Sequence, residues 1–324
     1  MLVNSRNYMR RKQQKKIVIG ISSCLLGERV RYDGNHKHDR FITEVLSNYF
    51  NFMAFCPEVA IGLGVPRPTI RLERLNNKNR AILQTGHKSD ITDDLHEYGC
   101  HIAKTQTTIS GYILKSKSPS CGMERVKVHD ENNVPSTTTS GIYANALMST
   151  QPLLPIEEEG RLNDPDLRDN FIERVFIYSH WQTMERANMK ISDLIQFHSQ
   201  YKFIIMAHDQ NIMRDLGHFV ATAKDDLERT KGNYIKLLMT GLKKPVARGN
   251  QVNVLQHIAG FFKRKLDKEN RDELHQAIEA FRRKELPIVA PLILINHHLR
   301  RNPDCFLENQ AYLETRLPEF STDG

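Results

Sequence analysis

The chain has 324 residues, of which 40% are hydrophobic and 26% charged, a composition typical of a globular protein with room for two domains. Its formal net charge is +8, but the first sixteen residues contain six basic residues and no acid, which leaves about +2 for the rest. This distribution does not indicate a polyanion-binding body, and no apolar run approaches the roughly 20 residues needed to span a bilayer.

Residues 1–15 form a basic leader that lacks the apolar core of a signal peptide. We expect this leader to be poorly ordered, with a nucleic-acid or targeting arm as the alternative. Five widely spaced cysteines without an export signal argue against a disulfide framework and predict a cytoplasmic protein with reduced thiols. Metal binding, catalysis and plain burial are the roles open to these thiols.

Residues 16–160 alternate between short apolar runs and helical stretches, which predicts a Rossmann-like α/β domain with a mainly parallel sheet. The predicted buried strands are 17–22, 52–55 and 111–115; the predicted helices are 38–49 and 91–110; and 69–83 is expected to form a pair of exposed strands.

Residues 166–320 contain few turn signals, and amphipathic stretches of helical length follow one another. This pattern predicts an all-α domain. The segment 151–164 contains two prolines, a glycine and the three glutamates 157–159, and we expect it to link the two domains.

Three of the five cysteines occupy equivalent places in the predicted sheet. Cys24 and Cys56 follow the first two strands, and Cys121 follows the third. Because the carboxyl ends of parallel strands lie at one edge of a sheet, we expect the three thiols to meet there. Three thiolates and a water bind zinc, whereas three thiolates on a four-iron cluster leave one iron open; inert buried thiols are the remaining alternative.

The cysteine-bearing motifs resemble the TudS-like thiouracil desulfurase family over about residues 15–160. The resemblance rests on residues 23–34 (SCLLGERVRYDG), 56–59 (CPEV), 66–68 (PRP), 90–92 (DIT) and 118–122 (SPSCG). It implies a [4Fe-4S] cluster bound by Cys24, Cys56 and Cys121, whose open iron takes sulfur from a thiolated pyrimidine base or nucleotide. The second half is similar to the YbgA-type helical domain through residues 197–203 (FHSQYKF), 206–208 (MAH), 253–257 (NVLQH) and 309–313 (NQAYL).

Several polar residues beside the cysteines are candidates for the chemistry. Glu58 could protonate a substrate ring or activate water, although a carboxylate tied to loop backbone or to Arg67 is the alternative. Ser118 and Ser120 could orient substrate or donate hydrogen bonds to cluster sulfur, or they could shape a tight turn. The candidates for substrate contact are Arg31, Asp33 and Arg67, of which an arginine could bind a phosphate; an Arg–Asp pair that fixes the loop is the alternative.

The helical half offers weaker candidates. His198, Lys202 and either His208 or His257 could converge between helices, but core or interface histidines are the simpler interpretation. Cys100 and Cys305 have no partner motif and are expected to be ordinary small hydrophobic residues.

Two further functions fit the sequence. In one, the helical domain docks nucleic acid and the cluster is structural or senses redox state. Its basis is a set of basic residues that solvated helix faces explain equally well: Lys231, Lys236, Lys243, Lys244, Arg248, Lys263, Arg264 and Lys265. In the other, an open iron that holds sulfide inserts sulfur instead of removing it. The sequence does not predict the oligomeric state.

Overall fold

The computed structural model describes residues 16–87, 89–130, 132 and 134–314; the leader at 1–15 lies outside the described residues. The chain divides between Thr183 and Met184 into two compact units. The strands, all in the first unit, are β1 Ile17–Ser22, β2 Phe50–Phe55, β3 Ile70–Leu75, β4 Lys78–Leu83, β5 Ser89–Asp90, β6 Tyr112–Leu114, β7 Val126–His129, β8 Pro135–Thr139 and β9 Ile156–Glu158.

The first unit also contains helices α1 Pro57–Ala60, α2 Thr92–Thr105, α3 Ile142–Thr150 and α4 Pro165–Arg186, the last of which runs across the division. The second unit consists of α5 Ile191–His208, α6 Gln210–Ala221, α7 Leu227–Gly241, α8 Arg248–Phe261, α9 Lys268–Arg282, α10 Val289–Arg301 and α11 Cys305–Glu308.

A four-stranded, fully parallel sheet forms the centre of the first unit, in the order β2-β1-β6-β9. Ile19 and Ile21 of β1 are wholly buried, as is all of β6, because helices cover both faces of a sheet of this kind. This confirms the predicted α/β class and the three predicted strands, although β2 is buried only at Phe50 and Phe55. The order also makes the strands that precede the three candidate cysteines immediate neighbours, with β1 in the middle.

A second sheet, in the order β5-β4-β3-β7-β8, is mainly antiparallel. Its β3–β4 hairpin turns at Asn76 and Asn77, whose φ angles of 47° and 61° suit a two-residue hairpin turn. The predicted strand pair is therefore correct, but one of its faces is buried through Leu72 and Ala81. The sequence interpretation missed β7 and β8.

Two local predictions were wrong. The helix expected over 38–49 is reduced to a π-helical turn at Phe41–Val45 and a 3-10 turn at Leu46–Asn48. The expected linker 151–164 contains β9, which pairs with β6. The glutamates of β9 are tolerated inside the fold because basic side chains and backbone N–H groups satisfy them; for example, the guanidinium of Arg161 donates to Glu157 over 2.6 Å.

Helix α4 packs on the rest of the first unit through the buried side chains Phe171, Val175 and Trp181. A hydrogen bond of 2.7 Å from Ser110 Oγ to Gln182 Oε1 fixes its last turns beside the start of β6.

The second unit is built from helices alone in the part of it that the structure describes, which confirms the predicted all-α character. Its core includes Phe197 of α5, Tyr234 and Leu238 of α7, and Leu255 and Ile258 of α8, all 1% exposed or less. Among the described residues, no helix combines the length and the apolar character that crossing a membrane requires.

Candidate active site

The three candidate cysteines follow adjacent parallel strands at their carboxyl ends. Cys24 lies in the 3-10 turn Ser23–Leu26 directly after β1, and Cys56 lies between the end of β2 and α1. Cys121 lies in the loop that leaves β6. Cys24 and Cys121 are buried, at 9% and 6% exposure, while Cys56 is half-buried.

Burial raises the pKa of all three thiols, and neighbouring charges modify it. Burial raises the pKa of Cys24 to about 11, opposed by the charges of Arg31 and Lys115 and reinforced by Cys56. Burial also raises the pKa of Cys121 well above its ordinary value, and the charges of Glu58, Cys56 and Cys24 raise it further. The pKa of Cys56 is raised as well, mainly by burial. The shared geometry of the three cysteines is their position on the loops that follow three adjacent parallel strands.

Among the described residues, no group of three or more His, Cys, Asp or Glu side chains is arranged to hold one metal ion. Zinc requires all its ligands at about 2.0 to 2.3 Å from one point. The part of the chain that the structure describes therefore contains no preformed zinc site.

Glu58 connects two of the loops. Its Oε1 accepts a hydrogen bond of 2.8 Å from Ser120 Oγ, and its Oε2 pairs with the guanidinium of Arg67. Ser120 is fully buried and Arg67 is 7% exposed. Arg67 also donates to the carbonyl of Gly64 over 3.0 Å. The structure thus has the Arg67-tied carboxylate considered as the alternative for Glu58, and a phosphate contact by Arg67 would compete with this ion pair.

Ser118 shapes the turn that carries Cys121. Its Oγ accepts hydrogen bonds from the backbone N–H groups of Ser120, at 3.3 Å, and Cys121, at 3.1 Å. The N–H of Gly122 donates to the Ser118 carbonyl over 2.8 Å. A Cβ on Gly122 would lie 2.4 Å from Val126 Cγ2, so the turn closes only around a glycine.

The loop after Cys24 is fixed by its own polar groups. Arg31 Nε lies 3.9 Å from Asp33 Oδ1, and Asp33 accepts hydrogen bonds of 3.1 Å from the backbone and side-chain nitrogens of Asn35. The side-chain hydrogen bond from Asn35 is the main cause that lowers the pKa of Asp33. Cys56 Sγ lies 3.9 Å from the carbonyl of Val30, so this loop borders the thiols.

The sequence interpretation missed three contributors at the same edge. Lys115, the residue after β6, pairs with Glu159 and donates to Ser116 Oγ over 2.9 Å, and its charge lowers the pKa of Cys24. Glu158 accepts a hydrogen bond of 2.8 Å from the N–H of Met123, two residues after Cys121. The position of Lys115 directly after a strand was the available signal; the buried glutamates gave none.

Tyr98 of α2 is the third contributor that the sequence interpretation missed. Tyr98 packs against the buried cluster that includes Phe55 and Cys121, and the pKa of its hydroxyl is raised by burial and further by the charges of Cys56 and Cys121. Its ring stacks on Tyr143 with centroids 5.7 Å apart. Nothing in the sequence around Tyr98 distinguished it from a core aromatic residue.

The candidate residues of the helical unit have separate partners. His198 Nδ1 lies 3.0 Å from the hydroxyl of the buried Tyr234, and His208 Nδ1 donates to the carbonyl of Lys244 over 2.8 Å. Burial, and then the charge of Lys202, lowers the pKa of His198 to about 4. His257 is exposed. These contacts match the expected core and interface histidines.

The two remaining cysteines lie elsewhere in the chain. Cys100 of α2 is half-buried and accepts a hydrogen bond from Thr150 Oγ1 at 3.6 Å, whereas Cys305 is exposed. The prediction of an ordinary small hydrophobic residue therefore does not suit Cys305.

Two family models match the chain, 2-thiouracil desulfurase over residues 19–159 and the protein of unknown function DUF1722 over residues 202–316. The chain is 31% identical over 148 residues to the uncharacterized protein YbgA of Escherichia coli, which covers 45% of this chain and 88% of the relative. It is 33% identical over 116 residues to the uncharacterized protein YbbK of Bacillus subtilis, or 32% of this chain and 73% of the relative.

Among solved structures, the [4Fe-4S]-dependent thiouracil desulfidase TudS matches with 27% identity and a TM-score of 0.35, over 47% of this chain and 95% of that one. The family matches confirm the resemblance expected from the motifs. They give no support to the alternative in which the helical half binds nucleic acid.

Proposed function

We propose a desulfurase function for this chain, which belongs to the 2-thiouracil desulfurase family through residues 19–159 and continues as a DUF1722 domain over residues 202–316. The proposed substrate is a thiolated pyrimidine base or nucleotide. The observation that carries the proposal is the placement of three cysteines, on three separate loops, after adjacent parallel strands.

The residues present fit a [4Fe-4S] cluster held by Cys24, Cys56 and Cys121. The donor set is three thiols, which are the usual protein ligands of such clusters. Near them, Arg31 Nε and Arg67 Nε are buried without a hydrogen-bond partner among the described residues, as expected for donors that face a missing group. A cluster with three protein ligands supplies one open iron that can bind the sulfur of a thiocarbonyl.

The net reaction that suits the site is a hydrolysis. The thiocarbonyl carbon gains an oxygen from water, its bond to sulfur breaks, and the sulfur leaves as hydrosulfide with a proton. This balance requires no net oxidant or reductant. The protein must therefore remove a proton from the attacking water and protonate the departing or ring atoms.

Glu58 is the candidate for this proton transfer. Its carboxylate is 16% exposed and is held from both sides, by Arg67 at one oxygen and by Ser120 at the other, so its orientation is fixed before substrate arrives. The hydroxyl of Ser120 donates a hydrogen bond to Glu58, and the remaining lone pairs of the carboxylate can accept hydrogen bonds from water. Ser118 contributes by shaping the Cys121 turn.

The remaining candidates border the substrate side of the loop after Cys24. Arg31 is partly exposed and carries a positive charge beside the thiols, which suits a nucleotide phosphate or a developing anion. Asp33 holds the loop that presents Arg31. Arg67 is committed to Glu58 and orients it.

Anaerobic reconstitution with iron and sulfide, followed by incubation with 2-thiouracil and thiolated nucleotides, tests the function. We expect about four irons and four sulfides per chain, a brown protein, and release of the oxo-pyrimidine together with hydrosulfide. A colourless protein that binds one zinc per chain, or a loaded protein that leaves every thiolated pyrimidine intact, would contradict the proposal.

A further inference from the structure

Two arginines beside the thiols each have a buried nitrogen without a hydrogen-bond partner. In Arg67, Nη2 pairs with Glu58 and Nη1 donates to Gly64, but Nε has no partner among the described residues. In Arg31, Nε lies 3.9 Å from Asp33 Oδ1, which is an ion pair too long for a hydrogen bond, and it is likewise buried. A buried N–H without an acceptor is unfavourable, so an acceptor is expected at both positions.

The two nitrogens belong to loops that lie side by side around Cys56. The N–H of Arg67 donates to the carbonyl of Tyr32 over 2.9 Å, which joins the two loops at the residue after Arg31. The sulfur of Cys56 lies 3.9 Å from the carbonyl of Val30, the residue before Arg31. Arg31 and Arg67 therefore lie on loops that border Cys56.

The acceptor expected at this place is a sulfur atom. Cluster sulfides and ligand thiolates are buried anions that accept hydrogen bonds, and the number of these bonds is one determinant of the reduction potential. A guanidinium whose Nη atoms are anchored points its Nε–H in a fixed direction, which the flexible ammonium of a lysine does not. Glu58 and Gly64 supply this anchoring for Arg67.

We propose that Arg31 and Arg67 donate hydrogen bonds through Nε to sulfur atoms of the cluster at Cys24, Cys56 and Cys121, and thereby raise its reduction potential. This inference rests on the proposed function. Arg67 then has two roles, because it orients Glu58 on one side and stabilises the reduced cluster on the other. Both arginines are positioning residues that act through the cluster.

The test uses substitutions that keep the charge and remove the Nε–H. Arg31→Lys and Arg67→Lys are compared with Arg29→Lys, an exposed arginine on the same loop. Iron and sulfide content is measured first in each full-length protein, and the midpoint potential is then measured by anaerobic titration. We expect a more negative potential in the first two variants and an unchanged potential in Arg29→Lys.

The outcomes distinguish a failure of this inference from a failure of the proposed desulfurase function. Potentials of Arg31→Lys and Arg67→Lys equal to that of the unaltered protein would overturn the inference and leave the desulfurase proposal standing. An unaltered protein that takes up neither iron nor sulfide would overturn both, at the loading step. If Arg67→Lys does not fold, Arg31→Lys decides the question, because Arg31 does not pair with Glu58 and a shift there cannot come from a displaced carboxylate.

Discussion

The two units of the chain place their candidate polar residues in different ways. In the α/β unit, Ser120 and Glu58 are 62 positions apart in sequence and yet share a hydrogen bond, and the ionisation of Cys121 responds to residues on two other loops. In the helical unit, His198 and His208 have different partners on other helices or loops and do not meet.

The difference follows from the geometry of the two architectures. Adjacent parallel strands end at one edge, so each strand delivers its next loop to the same place whatever its position in the sequence. Packed helices bury one face each, and polar residues on those faces are paired with whatever lies opposite. Convergence of polar side chains from several loops is therefore stronger evidence of a site than a single buried histidine.

Removing a candidate ligand tests this comparison with the largest expected effect. Cys56→Ser should abolish iron and sulfide retention and reduce desulfurisation at least about 100-fold, since loss of an outer partner of a metal ligand alone costs about 10- to 100-fold. Cys56 is half-buried, so the substitution should be tolerated by the fold. Metal analysis and product release measure the effect.

Cys100→Ser is the matched control, since Cys100 is also half-buried and lies in α2 of the same unit. It should keep its cluster and its activity. Equal retention of iron by both variants would show that Cys56 is not a ligand. The position of a cysteine at a strand end would then be no evidence of a cluster site.

The next largest effect is expected at Glu58. Glu58→Gln should lower kcat by about 10²- to 10⁴-fold, the usual contribution of a general acid or base, while iron and sulfide content stays unchanged. Glu58→Asp keeps the charge that Arg67 requires and controls for loss of the ion pair. An unchanged kcat in a folded, loaded Glu58→Gln protein would limit Glu58 to fixing the loops.

Much of the fold was predictable because local pattern and tertiary role agree. The apolar run predicted over 17–22 matches β1, and the helical stretches predicted in the second half match a series of helices that includes α5. Local pattern and tertiary role disagree in β9, a strand of only three residues, two of which are glutamates. Its carboxylates are acceptable only because Arg161 and the loop after Cys121 reach them, and these partners come from other parts of the chain.

The same distinction holds for the candidate site. The positions of the three cysteines after adjacent parallel strands were predictable, since strand ends can be recognised in the sequence. The choice of partner by Glu58, between loop backbone, Arg67 and Ser120, depends on distances between loops and was not predictable. The approach of Tyr98 to the thiols depends on how α2 packs, which no local pattern reports.

A substitution at Gly122 tests how closely the Cys121 turn is packed. Gly122→Ala should lower the free energy of unfolding by about 1 to 3 kcal/mol, because the new Cβ would lie 2.4 Å from Val126 Cγ2 and 2.9 Å from the Ser118 carbonyl oxygen. Denaturant unfolding followed through the fluorescence of Trp181, the one tryptophan of the chain and a buried residue of the first unit, reports the change.

The helical unit provides the contrasting control for this substitution. Gly232 is exposed within α7, and a Cβ there would meet nothing within 4 Å. Gly232→Ala should therefore stabilise its helix by about 0.5 to 1 kcal/mol. A loss of stability at Gly232 as large as that at Gly122 would mean that the clash at the Cys121 turn is not what makes alanine costly there.

The last prediction concerns His198, whose pKa is lowered to about 4 by burial and by the charge of Lys202. A histidine in an unfolded chain titrates near 6.5, so between these pH values the unfolded state binds a proton that the folded state does not. Stability should therefore fall as the pH drops from about 6.5 to 4, by about 1 to 3 kcal/mol. Urea unfolding followed by far-UV circular dichroism measures this fall, and His198→Gln should make it shallower. His208→Gln, a substitution in the same helix but away from the His198–Tyr234 contact, is the control. Desulfurisation should be the same in both variants, because the ring of His198 contacts Tyr234 of the helical unit. A loss of activity in His198→Gln alone would give the helical unit a role in the reaction.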